Sequence, residues 1–316
     1  MKHCIGIDLG GTTVKLGVFT YDGALIQKKE IPTRKECGRD VIFDDIAAAV
    51  REIAHENSLE LSDCLIGMGI AGPVEDTGRV EVSVNLGMSA YYPGLELSKL
   101  LDSLPVSVVN DANAAALGEM WKGGGRGHKS MILITLGTGV GSGVIINGSV
   151  IHGTHGLGGE IGHIWVNPDE PDLCQCGGRG CLDQIASATG IVKYAHRFLS
   201  RSDRFSSIRG ITDLSAKDVI EAAKSGDYLA MYTINYCMEF LGKAIADITY
   251  VIDPEIILIG GGISRAGEFI REIIYDHYKN YPKIKKILAP IELAELGGDA
   301  GIYGAAYFAR ESGTAA

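Results

Sequence analysis

Apolar and polar positions alternate with a period of two in two stretches that are nearly copies of each other. Ile5 to Phe19 reads as a strand, a Gly10-Gly11 turn and a second strand. Ile132 to Ile146 repeats it at an offset of 127 residues, with Leu9-Gly10 matching Leu136-Gly137 and Phe19 matching Ile146. Between them the pattern predicts strands at Ala24 to Ile31, Cys64 to Ile70, Val80 to Val84 and Val106 to Val109. Asp40 to Ser58 carries Ile42, Ile46, Ala49, Val50 and Ile53 at helical spacing, and Leu95 to Leu104 predicts a second helix. Asn110 opens a third, of good intrinsic propensity. Beyond the second copy, helices are expected at Gly190 to Ser200, Ser215 to Lys224, Asp227 to Tyr250 and Ala266 to Tyr278. Strands are expected at Glu255 to Ile259 and Leu288 to Leu293, and a last helix with one small-residue face at Asp299 to Arg310.

Two glycine-turned hairpins in one chain predict a duplicated pair of α/β domains facing each other across a cleft. Two ordinary hairpins with similar turn chemistry are the plainer alternative. The Gly123 to Gly127 run marks a break between the halves.

Composition narrows the class. The chain has 316 residues with 46% hydrophobic content, enough for about two packed cores, and 43 glycines suit many tight turns. It contains no apolar run of membrane-spanning length, and a charge comes too early at the N-terminus for a signal peptide. Seven cysteines, three of them clustered, fit a reducing cytoplasm. A net charge of −10 argues against nucleic acid as a partner.

Candidate chemistry concentrates in Gly159 to Asp183. Cys174, Cys176 and Cys181 lie within eight residues, with His163 just upstream, and thiolates with an imidazole suit tetrahedral zinc. A merely exposed cysteine loop is the alternative. The glycine turns at Gly10-Gly11 and Gly137 to Gly139 expose backbone N–H groups suited to phosphate, and Asp8 is placed to hold a hydrated Mg²⁺. The triple glycine Gly260 to Gly262 ends a strand either as a plain turn or as a surface for a flat ligand such as a purine. Asp111, at a strand-to-helix junction, reads locally as a helix cap before it reads as a base.

Together, Asp8 to Thr13, Asn110-Asp111-Ala112-Asn113, Leu136 to Gly139, Glu160 to His163 and the Cys174, Cys176, Cys181 motif resemble the ROK family (repressors, open reading frames and sugar kinases), most closely its ATP-dependent glucokinase branch. The resemblance covers essentially the whole chain. It implies two actin-like (ribonuclease H-like) α/β domains around a central cleft with a zinc-binding loop. The domains expected are 1–118, completed by a C-terminal helix 300–316, and a larger 119–299 carrying the zinc loop.

It further implies phosphorylation of the glucose 6-hydroxyl with Asp111 as general base. Asn85, Asn110, Asp111, Glu160, His163 and Asp183 take positions of sugar ligands. Asp8, Gly10, Gly11, Thr12, Thr13, Lys15, Thr138, Gly139 and Gly261 take positions that bind ATP and Mg²⁺. His163, Cys174, Cys176 and Cys181 take those of a structural Zn²⁺, and a homodimer or tetramer is expected. Two departures bear on the sugar: Asp183 stands where the family usually has Glu, and Met88 where glucokinases often have Trp. A kinase for another hexose (N-acetylmannosamine, N-acetylglucosamine, mannose or fructose), a sugar-sensing regulator and a non-catalytic zinc-stabilised binding protein are the alternatives. The first glycine turn comes soon after Met1, so a regulator's DNA-reading head is not expected ahead of it.

Overall fold

The computed structural model describes residues 3–281 and 288–314. The chain forms two compact units. One comprises Met1–Lys129, Gly143–Gly159 and Glu295–Ala316, the other Ser130–Ser142 and Glu160–Ala294.

The first unit is built on a sheet of β1 (His3–Leu9), β2 (Thr13–Thr20), β3 (Leu25–Pro32), β4 (Cys64–Ile70) and β7 (Val106–Asn110), in the order β3-β2-β1-β4-β7. The first three strands pair antiparallel, while β4 runs parallel to both β1 and β7. β1 is buried almost throughout, whereas β3 alternates exposed and half-buried positions and carries Lys28, Lys29 and Glu30, charges that blunt an edge strand. α1 (Arg39–Glu56) covers one face with Ile42, Ile46, Val50 and Ile53. α9 (Ala300–Thr314) lies directly on the sheet and on α3 (Asp111–Lys122). Glycines allow that approach: a Cβ at Gly6 or Gly67 would fall about 2 Å from an α9 carbonyl oxygen. The last two residues of the expected 300–316 helix lie outside the described residues.

A two-stranded ribbon of β5 (Val80–Ser83) and β6 (Met88–Tyr91) joins the same unit. α2 runs Pro93–Leu100 rather than from Leu95 to Leu104. Pro93 is pre-set for the first turn of a helix, and positive φ at Asp102 (55°) and Ser103 (65°) ends it early.

The second sheet has the order β10-β9-β8-β11-β12, from β8 (Met131–Leu136), β9 (Val140–Ile146), β10 (Ser149–Val150), β11 (Ile256–Gly260) and β12 (Ile291–Leu293). This is the order of the first sheet, strand for strand. β1 and β8 end, and β2 and β9 begin, at the same 127-residue offset as the sequence repeat. The second unit adds α4 (Asp183–Ala186), α5 (Ala188–Ser200), α6 (Ala216–Lys224), α7 (Tyr228–Ile252) and α8 (Glu268–Asn280).

The boundary expected after residue 118 falls inside α3, and 119–129, 143–159 and 295–299 group with the first unit. One reason is Glu119, whose fully buried carboxylate accepts backbone N–H bonds from Gly124, Glu295 and Leu296 at 2.9, 3.0 and 2.8 Å. Among the described residues no helix is long and apolar enough to cross a membrane.

Candidate functional site

In the first unit the parallel strands β1, β4 and β7 end side by side. Asp8 is in register with Gly69, and Gly69 with Val109, two residues before Asp111. Ligands of open α/β sheets collect beyond the carboxyl ends of the strands, where these two aspartates sit. At Gly69 a Cβ would lie 3.1 Å from Ala114 Cβ and 3.8 Å from Asp111 Cα, so the glycine lets the start of α3 pack close on β4. Burial, and then the negative charge of Asp111, push the Asp8 carboxyl up to about 6. Burial also raises that of Asp111, against hydrogen bonds from Ala112 N and Asn110 that favour its charged form.

The helix cap at this junction is Asn110, not Asp111. Its Oδ1 accepts from Ala112 N and Asn113 N at 3.0 and 3.1 Å, while its Nδ2 donates to Gly72 O and to Asp111 Oδ1, each at 3.1 Å. The turn of Gly10, Gly11 and Thr12 is closed by Gly10 N donating to Thr13 O, and Thr33 Oγ1 holds Gly10 O at 2.7 Å. Asn85 lies against Gly11, where a Cβ would meet its backbone oxygen at 3.0 Å. Lys15 is committed within the unit, its Nζ donating to Gly298 O at 2.6 Å. Met88, the departure beside Asn85 in sequence, packs in the apolar core.

In the second unit the four expected metal ligands converge. The donor atoms of His163, Cys174, Cys176 and Cys181 all lie within 4.8 Å of one another. His163 Nδ1 is 3.7 Å from Cys174 Sγ, and Cys176 Sγ is 3.6 Å from Cys181 Sγ. A tetrahedron with zinc–sulfur bonds of about 2.3 Å has edges of roughly 3.8 Å, so the donor set fits zinc. The backbone makes the knuckle: Cys174 N donates to Gly178 O, Gly177 N to Cys174 O, and Leu182 N to Ile164 O, which draws Cys181 up to His163.

The same unit carries the second glycine turn. Gly137 N donates to Gly139 O, Ala188 N donates to Gly137 O, and Thr189 Oγ1 donates to Thr138 O at 2.8 Å. Gly261, at φ +83°, passes so close to Leu136 that a Cβ would come within 2.5 Å of its oxygen. A cavity of about 650 Å³ opens here, lined in part by Gly137, Thr138, Ala216, Ile220, Ile263 and Arg265. Glu160 precedes the single turn Ile161–His163, which hangs on the second hairpin through Ile161 N donating to Ser142 Oγ at 3.1 Å. Asp183 Oδ1 accepts from Val140 N at 2.7 Å.

The chain matches the ROK family over residues 4–312. It is 40% identical to a glucokinase of Halalkalibacterium halodurans, over 97% of this chain and 94% of that one. The chain belongs to the ROK family. Among solved structures, a Streptomyces griseus ROK family glucokinase in complex with glucose and AMPPNP is 34% identical, with a TM-score of 0.79, 98% of this chain and 99% of that one being covered. A ROK hexokinase from Thermus thermophilus is 29% identical with a TM-score of 0.86, over 99% and 100% of the two chains.

Each unit of this ROK protein therefore gathers its own share of the residues expected from sequence. The first holds Asp8, Gly10 to Thr13, Asn85, Asn110 and Asp111 around the strand ends. The second holds the metal set, Glu160, Asp183, Thr138, Gly139 and Gly261. Ala188 and Thr189, which grip the second turn, escaped the sequence reading. The Ser187 cap, accepting from Gly190 N, was the one local signal there.

Proposed function

We propose that this chain transfers the γ-phosphoryl group of ATP to the 6-hydroxyl of glucose. The observation that carries this is the placement of Asp111. Its carboxyl stands at a strand-to-helix junction that Asn110 caps, with Oδ1 accepting Ala112 N at 2.9 Å, and burial raises it above its ordinary value. The carboxylate takes the proton of the 6-hydroxyl as that oxygen bonds to the γ-phosphorus. The bond to the bridging oxygen breaks, giving glucose 6-phosphate and ADP.

Asn85, Asn110, Glu160 and His163 offer donors and acceptors to the remaining hydroxyls. The glycine turns offer backbone amides to the phosphates, and the 650 Å³ cavity has room and apolar wall for the nucleoside. Mg²⁺ supplies charge neutralisation at the transferring phosphoryl, and Asp8 is the carboxylate in place to hold its hydration shell. His163, Cys174, Cys176 and Cys181 would hold Zn²⁺, which would shape the loop that carries Glu160 rather than activate a water. Seven cysteines outside any disulfide suit the reducing cytoplasm.

The support is the glucokinase relatives above, at 34–40% identity over nearly the whole chain. The test is ADP release from ATP across a panel of glucose, mannose, fructose, N-acetylglucosamine and N-acetylmannosamine. Glucose should give the highest kcat/KM. ADP release with none of them would overturn the kinase reading, and another sugar in first place would overturn the glucose reading alone.

A further inference from the structure

We infer that Asp183 is a positioning residue for the nucleotide loop rather than a sugar ligand, an inference that rests on the kinase reading above. The resemblance places it among the sugar ligands, where a Glu usually stands. The structure gives its carboxylate another occupation. Oδ1 accepts the backbone N–H of Val140 at 2.7 Å, the length of a charge-assisted bond. Val140 is the first residue of β9, directly after the turn Gly137 to Gly139. The carboxylate reaches it by passing over Gly139: a Cβ there would lie 2.6 Å from Asp183 Oδ1, so the space that any side chain at 139 needs is already filled.

Three further contacts converge on the same few residues. A Cβ at Gly162 would fall 2.2 Å from Val140 O, which seats the Glu160 to His163 turn on the other polar group of that peptide pair. Ala188 N and Thr189 Oγ1 hold the carbonyls of Gly137 and Thr138. The turn that presents amides to phosphate is thus held from α5 on its entering side and from Asp183, the first residue of α4, on its leaving side. Released from Asp183, Val140 N–H is a donor without its acceptor, and the amides of Thr138 and Gly139 lose their fixed direction. A preorganised amide acts on phosphate because it need not reorient when charge develops. The shorter side chain suits this post: a Glu at 183 would carry its carboxylate past a contact that Asp makes at ideal length.

The experiment separates this role from that of a sugar ligand. Asp183→Ala and Asp183→Asn are compared in the full-length, zinc-loaded protein by KM for ATP, KM for glucose and amide exchange of residues 137–142. Asn keeps an oxygen at the Oδ1 position but not the charge. Loss of a hydrogen bond to a charged group is commonly worth on the order of tenfold or more. Asp183→Ala should raise KM for ATP about tenfold, move KM for glucose less than twofold and speed exchange at Val140; Asp183→Asn should restore most of all three. If both variants raise KM for glucose and leave ATP and Val140 exchange alone, the residue is a charge-dependent sugar ligand and the inference is wrong. Unchanged exchange and unchanged KM for ATP in Asp183→Ala overturn it equally. An unmodified protein without kinase activity defeats the function proposed above, while exchange at Val140 still decides whether Asp183 fixes the loop.

Discussion

Asn110 caps the helix that Asp111 begins, and the same side chain donates its amide hydrogen to Asp111 Oδ1 at 3.1 Å. One residue thereby satisfies the helix end and orients the carboxylate beside it. Two substitutions should separate these jobs. Asp111→Asn keeps the shape but cannot accept a proton, so kcat should fall by about 10²–10⁴ with little change in thermal midpoint. Asn110→Ala should cost about 1 kcal/mol of stability through the lost cap, and lower kcat as well by freeing Asp111. Denaturant unfolding and steady-state kinetics on both variants check this. Near-normal turnover in Asp111→Asn would leave the carboxylate without a catalytic part.

The local sequence favoured Asp111 as the cap, because either an Asn or an Asp at such a junction can fill that place; only the φ of −59° and ψ of 146° at Asn110 decide which does. The paired hairpins were legible because each strand is long and its apolar period regular. The β6 strand was not: Met88–Tyr91 is four residues with two exposed, and its pairing with β5 is made across a turn that carries no strong signal. α4 was missed for its brevity, following so soon after Cys181. The cluster of His163 with Cys174, Cys176 and Cys181 was readable since three of the four lie within eight residues. Glu119 was invisible for the opposite reason. It sits in an ordinary helical stretch, and two of its three partners, Glu295 and Leu296, come from the far end of the chain.

The Asp8 carboxyl, held up to about 6 by burial and by Asp111, binds its proton more tightly in the folded protein than at its ordinary value near 3.8. Its contribution to stability is therefore fully present below about pH 3.8 and is lost as pH rises through about 6. Asp8→Asn should remove that loss. The nucleotide-free variant should match the unmodified protein near pH 4 and exceed its thermal midpoint near pH 7.5, while KM for Mg-ATP rises. Parallel curves of midpoint against pH for the two proteins would refute the assignment.

Zinc should be retained through purification at one equivalent per chain and be required for the fold of the loop, not for the chemical step. The four donor atoms lie within 4.8 Å of one another and would fill a tetrahedral shell among themselves. Removing the ion with a chelator should lower the thermal midpoint and weaken glucose binding, because His163 loses its anchor; adding Zn²⁺ back should restore both. Cys176→Ser should lower zinc content to a small fraction of one equivalent. A purified protein with no zinc, whose midpoint is indifferent to chelation, would contradict this.

The loop between His163 and Cys174 has its own anchor, and it should show in acid. Glu170 has a fully buried side chain that takes two bonds from Arg197, at 3.0 and 2.8 Å, and one from Tyr194 Oη at 2.7 Å, with Lys193 Nζ at 3.2 Å. Burial works to raise its carboxyl, but the hydrogen bonds from Arg197, Tyr194 and Lys193 outweigh it and hold the group down to about 2. Its contribution is thus present above the ordinary value near 4.5 and is lost as pH falls from there toward 2. Arg197→Ala leaves the carboxylate buried with its main partner gone, which commonly costs about 3–5 kcal/mol. Tyr194→Phe removes one bond to a charged acceptor and should cost about 1.5–3 kcal/mol. Glu170→Gln should destabilise the protein at pH 7 and flatten the fall in stability between pH 4.5 and pH 2, since the group that takes up the proton is gone. Unfolding by denaturant across that pH range reads all three variants. If Glu170→Gln keeps the acid slope of the unmodified protein, other carboxylates set that slope and the Glu170 network is not what fastens the loop against acid.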